Sequence, residues 1–335
     1  MENEIEPLSR GELTERIKAI RKKIKIYGWL AISVLVIASV LAAYFNKQIG
    51  ALSFVIIIVS FGFTIFFFSK WDDNKKALLM EIKRNFAGDI REMLAKIFEL
   101  ESYQPNDCFD AGHIKEAGLI RKFDTISGSD LVKGRYKGVP FAFCDLLLTG
   151  KILDNDSDDD TYTMFKGQWI EFNLKRPMNS VVYVAERKEK LNSGFQKNLK
   201  TAGLKVNRDL SAFNFGRKVE EAYTDSDEFN KNYQIFTDDP QAIFYILTPH
   251  FMEYILSADK AADSRTLFCF VGDRAIVAME NERDLFDLDD MKKDDMKKAM
   301  DFDWIHSKFQ SDLQFITSVF DEMLRNEYLF GTEVN

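Results

Sequence analysis

The sequence predicts an α+β protein: an N-terminal two-helix transmembrane hairpin, then a cytoplasmic domain with a largely antiparallel sheet and packed helices. Three observations predict it. Residues 26–45 and 49–69 are runs of 20 and 21 residues without a charge. After Pro105 the chain turns to short apolar runs punctuated by glycine and aspartate, the texture of a sheet with tight turns. Near the end, Phe302, Ile305, Phe309, Leu313, Ile316, Phe320 and Met323 recur at helical spacing.

Residues 1–25 come first. Ser9 and Glu12 form a capping-box pair, and Leu13, Ile17, Ile20 and Ile24 repeat behind them, which predicts a basic amphipathic helix leading into the first apolar run. Its cations Arg16, Lys18, Arg21, Lys22, Lys23 and Lys25 are the candidate membrane-surface residues, because each Lys or Arg near anionic headgroups contributes about 1 kcal/mol. The alternative reading is that these cations only fix topology.

Residues 26–69 form the hairpin. At 1.5 Å per residue each run crosses roughly 30 Å of hydrocarbon. Only Asn46, Lys47 and Gln48 separate the runs, so the helices are expected antiparallel. The six cations of residues 16–25 precede the first run and Lys70, Lys75 and Lys76 follow the second, against Lys47 alone in the loop, which puts both flanks in the cytoplasm. A cleaved signal peptide is the competing reading of the first run, but its apolar core is twice the usual signal length. Neither run holds an Asp, Glu, Lys, Arg or His, so the hairpin alone lacks the groups of a proton or ion pathway.

Residues 70–104 predict a membrane-proximal helix, with Leu79, Ile82, Phe86, Ile90, Met93, Ile97 and Leu100 in steps of three and four. Residues 105–335 predict the α+β domain. Strands are expected over 131–136 and 139–147 around Lys137-Gly138, over 163–174, and over 180–185; a hairpin is expected where 267–271 and 275–279 flank Gly272-Asp273-Arg274. Asp239-Pro240 and Thr248-Pro249 each place proline behind a capping residue and predict two short consecutive helices.

These readings lead to a resemblance carried by named residues: 130–134 with Gly138, Val139, Pro140 and Phe141; Phe165-Lys166-Gly167 as a turn into an aromatic strand; Phe229 with 233–236; 238–249 with its acidic cap and Leu-Thr-Pro; and 268–278. Over roughly residues 25–290 the chain resembles the bacterial family known as domain of unknown function 3137. The resemblance implies a two-span protein of the bacterial inner (plasma) membrane, both termini cytoplasmic, beside LemA-type membrane proteins. It brings no catalytic residue and no ligand.

Composition and motifs bound the chemistry. The chain has 335 residues, 46% hydrophobic and 29% charged, with a formal net charge of −8, and residues 70–335 hold 37 Lys and Arg against 48 Asp and Glu. Such acidity gives no footprint for nucleic acid. Cys108, Cys144 and Cys269 are odd in number and far apart, which predicts free thiols in a reducing compartment. His113, His250 and His306 form no zinc-binding spacing, and no nucleophile elbow, phosphate loop or dinucleotide turn is present.

Asp154, Asp156 and Asp158, followed by Asp159 and Asp160, have the alternation of a calcium loop, but Asp159 stands where the loop needs glycine and Phe165 where it needs glutamate. They remain weak metal candidates within a solvated acidic connection, and no cofactor is expected. The expectation is a membrane-anchored interaction or regulatory module without recognisable catalytic chemistry, with the lipid bilayer and a membrane or cytoplasmic protein as partners. The alternatives are a metal-dependent enzyme using the acidic loop 154–160 and a lipid- or small-molecule-binding membrane protein.

Overall fold

Helix α1 runs over Arg10–Asn46 and α2 over Gly50–Ile97 in the computed structural model, which describes residues 10–46, 50–120, 123–151, 161–187, 218–261, 265–281, 284–286 and 302–331. Each helix joins segments of opposite polarity without a break. No proline occurs between residues 8 and 104, so no ring removes a backbone donor from either helix. The rings of Tyr27 and Phe67 stack at 6.4 Å between centroids, and a Cβ on Gly28 would lie 3.6 Å from Cδ1 of Trp71. These residues open the first apolar run and close the second, so α1 and α2 are antiparallel. They belong to one compact unit, residues 1–90 with 287–306; the other is 91–286 with 307–335.

Helix α2 ends at Ile97, seven residues before the expected limit of the membrane-proximal helix. Leu100, assigned above to the helical stripe, instead pairs with Gly134 in strand β1, Glu99–Gln104. Packing overrides the helical period here. Phe98 is buried against Phe141 and Phe320, at 4.8 and 5.5 Å between ring centroids, and the backbone after it finds a strand partner.

The second unit is built on β1, β2 (Thr125–Tyr136), β3 (Val139–Lys151), β4 (Thr161–Glu186), β5 (Glu220–Ala222), β6 (Tyr233–Thr237) and β7 (Arg265–Glu280). The order is β1-β2-β3-β4-β6-β5, with β7 also paired to β4, and every pairing is antiparallel. The β2–β3 hairpin forms where expected. Lys137 and Gly138 both take positive φ, 49° and 79°, the geometry whose twist matches the flanking strands.

Two strand expectations are corrected. Segments 163–174 and 180–185 are parts of one 26-residue strand, β4, and the Phe165-Lys166-Gly167 turn lies inside it. The hairpin at Gly272 does not form: β7 bends there, with φ 57° at Gly272, and both of its apolar halves pair along β4. Phe172 pairs with Ala275 and Val182 with Phe270, while β4 bulges between Asn173 and Val181. This arrangement satisfies the same edge of β4 along both of its halves, whereas a local hairpin would leave that edge unpaired.

Both sheet faces are covered. On one, Phe109, Ile114 and Ala117, from helix α3 (Ala111–Ala117) and the segment before it, join Leu146, Trp169, Tyr183, Cys269 and Ile276 in one core. Neighbouring residues point the other way, as the pleat requires. There Phe320 of helix α7 (Phe302–Leu324) meets Phe141 and Phe172, each at 4.7 Å. From Ile305 to Met323 the apolar stripe read for α7 is buried.

Helices α4 (Asp227–Asn232), α5 (Ala242–Ile246), α6 (Pro249–Ala261) and α8 (Glu327–Phe330) complete the described elements. α6 starts at Pro249 with Thr248 Oγ1 accepting from the Phe251 amide, as the capping pattern predicts. Pro240 instead occupies the turn before α5, where Asp239 accepts from the Gln241 amide.

Candidate functional site

The sequence-predicted residues fall on two segments. Asp154, Asp156 and Asp158 lie outside the described residues, between β3 and β4. Among the described residues no group of three or more His, Cys, Asp or Glu is placed to hold a metal ion. Arg16, Lys18, Lys22, Lys23 and Lys25 are all exposed on α1, and the side chain of Arg21 lies outside the described residues. Lys18, Lys22 and Lys25, with Ile26, Trp29, Leu30 and Ser33 below them, line an open cavity of about 630 Å³. Sequence reading found these cations but not the cavity, which depends on three of them sharing a helix face.

The apolar surface is concentrated in the same unit. Of the twenty-two large apolar residues that are exposed among the described residues, seventeen lie between Ile26 and Phe68. Scattered exposed apolar residues are ordinary, but a continuous apolar surface marks an interaction site. One helix among the described residues, Lys18–Leu41, is long and apolar enough to cross a membrane by length and composition, with a mean hydropathy of 2.1 and 11% of its most apolar stretch buried. Its serine hydroxyls need no water: Ser33 and Ser39 donate to the carbonyls of Trp29 and Leu35, and Thr64 of α2 donates likewise to Ser60.

The α+β unit holds a buried ionic cluster that the sequence reading did not assemble. Trp169 and Glu171 stand on one face of β4, two residues apart, and the indole Nε1 donates to Glu171 Oε1 at 2.8 Å. His113 Nε2 lies 2.8 Å from Oε2 of the same carboxylate. Arg274 Nη1 is 3.2 Å from His113 Nε2 and 3.8 Å from Glu171 Oε2. α3 delivers His113 through Asp110, whose carboxylate accepts the His113 amide, and Phe109 stacks on the imidazole at 4.9 Å. The cluster compensates a buried carboxylate and ties α3 to the sheet. A hydrolytic triad would require a nucleophile bonded to the imidazole, and among the described residues no Ser, Thr or Cys bonds to His113.

The cysteines do not supply one. Cys144 and Cys269 are buried, and burial pushes both thiols up, away from the reactive thiolate. Burial, then the charge of Asp107, raises the half-buried Cys108 as well.

A second buried carboxylate sits on the other face. Asp145 accepts from Gln168 Nε2 at 2.8 Å and from the Leu285 amide at 2.6 Å, and Gln168 in turn accepts from Asn281 at 2.8 Å. Burial, then the charge of Asp130, pushes the Asp145 carboxyl well above the usual range, and the two hydrogen bonds offset only part of that. The sequence signal was there, a lone acid inside the apolar run of β3. Beside the β4 bulge, a groove of about 490 Å³ is lined by Arg176, Pro177, Gln241, Tyr245 and Tyr328, among others. The two tyrosine rings stack at 4.8 Å and are 54% and 59% exposed.

Residues 163–325 match the family model described as protein of unknown function (DUF3137), which establishes the family resemblance over β4 to α7. The matched stretch starts later and ends further on than residues 25–290. No curated protein matches the chain. The crystal structure of the mycobacterial trehalose monomycolate transport factor A, TtfA, is similar at 12% identity and a TM-score of 0.31, over 68% of this chain and 94% of that one. So low a TM-score bears no functional weight.

Proposed function

We propose that the protein is a membrane-anchored, non-enzymatic interaction module, in which a two-span hairpin of α1 and the first half of α2 holds an acidic α+β domain at the cytoplasmic face. The observation that carries this reading is the exposure of apolar residues from Ile26 to Phe68 on two antiparallel helices. At roughly 25 cal/mol per Å² such a surface is strongly disfavoured in water and stable in hydrocarbon. Basic residues flank the hairpin at its open end, which fits a cytoplasmic location for both flanks.

Anchoring confines the domain near membrane proteins and raises its effective concentration there. The groove with Tyr245 and Tyr328 is the surface on which a protein partner is expected to dock, since exposed tyrosines are enriched at interface centres. Tags placed before α1 and after α8 test the topology in intact cells. The proposal expects both to resist an impermeant reagent until the membrane is opened, and labelling of either tag from outside would refute it. Recovery of the full chain in the soluble fraction without detergent would refute the anchor itself.

A further inference from the structure

We infer that the face of α1 bearing Lys18, Lys22, Lys25 and Trp29 is a binding site for a single anionic phospholipid, the phosphate on the lysines and an acyl chain along Ile26 and Leu30. The inference rests on the membrane reading above and adds a specific ligand to it.

At 100° and 1.5 Å per residue, Lys18, Lys22, Lys25 and Trp29 fall within about 60° of one another, and the three ammonium groups span about 10 Å of axis. With Ile26, Leu30 and Ser33 they line the open 630 Å³ cavity. Lys18 pairs with Glu15 at 2.8 Å, but among the described residues no carboxylate lies within ion-pairing distance of Lys22 or Lys25. Below them the polarity changes within one turn: Trp29 is 70% exposed, and the Ser33 hydroxyl is spent on the Trp29 carbonyl at 2.7 Å. A cationic rim, an indole at headgroup depth and an apolar floor match an anionic headgroup followed by a chain. Inorganic phosphate would leave the floor empty, and a zwitterionic headgroup would bring its own ammonium to the lysines.

The helix provides its own control. Arg16 and Lys23 fall roughly 140–160° from Lys18 around the axis, on the opposite side. Removing them costs α1 the same charge without touching the cavity.

The test is native mass spectrometry of the full chain in neutral detergent, titrated with phosphatidylglycerol, phosphatidylcholine or inorganic phosphate. The wild type is expected to take up one phosphatidylglycerol before any phosphatidylcholine. Lys22→Gln with Lys25→Gln should weaken that first adduct about tenfold or more, while Arg16→Gln with Lys23→Gln should leave it within about twofold. Equal weakening by the two pairs would reduce the site to diffuse electrostatics and overturn the inference. So would equal uptake of phosphatidylcholine, or displacement of the lipid by phosphate. Failure of the membrane reading looks different, because the chain would then need no detergent at all.

Discussion

Tyr27 of α1 and Phe67 of α2 stack at 6.4 Å with 30° between their planes, and one residue further along Gly28 leaves room for Trp71. The start of one apolar run thus meets the end of the other. Cysteines at positions 28 and 71, in a Cys108→Ser background, are expected to join through a short bifunctional thiol reagent in membranes, whereas cysteines at 28 and 55 should not. Val55 lies on α2 twelve residues before Phe67, about 18 Å along the axis. Gel mobility after protease cleavage between the helices reads the result.

Gly167 shows what the close pairing of β4 and β7 demands. Its φ is 151°, and a Cβ there would collide with the carbonyl oxygen of Met279. Gly167→Ala is therefore expected to cost more than about 2 kcal/mol, the sum of an unfavourable backbone region and a clash against backbone that cannot rotate away. Gly138→Ala is the comparison. That glycine also has positive φ, 79°, but a Cβ would meet nothing within 4 Å, so only the conformational cost of about 1 kcal/mol applies. Urea unfolding of the two variants in detergent gives the difference.

Glu171 binds more groups than His113 does, and the two residues are expected to differ accordingly. Glu171→Ala leaves the Trp169 indole N–H without its acceptor and Arg274 without its carboxylate, which should cost about 3–5 kcal/mol. Glu171→Gln keeps an oxygen for the indole and should cost less. His113 is 32% exposed, so His113→Ala lets water reach Glu171 and should cost about 1 kcal/mol. The order, from urea midpoints, would reverse if the imidazole rather than the carboxylate held the cluster together.

Local patterns carried most of the fold and little of the site. The stripe of α7, the cap at Thr248 and the Lys137-Gly138 turn are fixed by residues within one or two turns of each other, so periodicity and turn chemistry reveal them. β4 and β7 depart from the expected hairpin and separate strands because nothing within either segment says which edge an apolar half will pair with; that choice is made across about a hundred residues. The Leu100 assignment failed because a helical period persists by chance into a segment that Phe98 anchors to the sheet. The Glu171 cluster draws Trp169, His113 and Arg274 from three separate stretches, and no spacing rule connects them. The α1 lysines were legible because their arrangement is helical and local.

The buried Asp145 carboxyl makes stability depend on pH in a direction opposite to that of a salt-bridged acid. Burial, followed by the nearby charge of Asp130, raises its folded pKa well above the unfolded value of about 3.9. Between the two pKa values the folded state therefore holds a proton that the unfolded state has released. Asp145 stabilises the fold most below the unfolded pKa, and that contribution is lost as pH rises through the folded pKa. Asp145→Asn removes the titration while keeping the hydrogen bonds: the amide oxygen can accept from Leu285, and Gln168 and Asn281 can rotate their amides to receive the new N–H₂. The wild type should lose stability from about pH 4 upward relative to Asp145→Asn, and the gap should level off once the folded carboxyl has ionised. Asp145→Ala, which strands the Leu285 amide, should cost about 1–3 kcal/mol in acid, where the wild type holds its proton. Urea midpoints of the three proteins between pH 4 and 8 check this. Parallel curves for the wild type and Asp145→Asn would mean that Asp145 is ionised in the folded protein throughout that range.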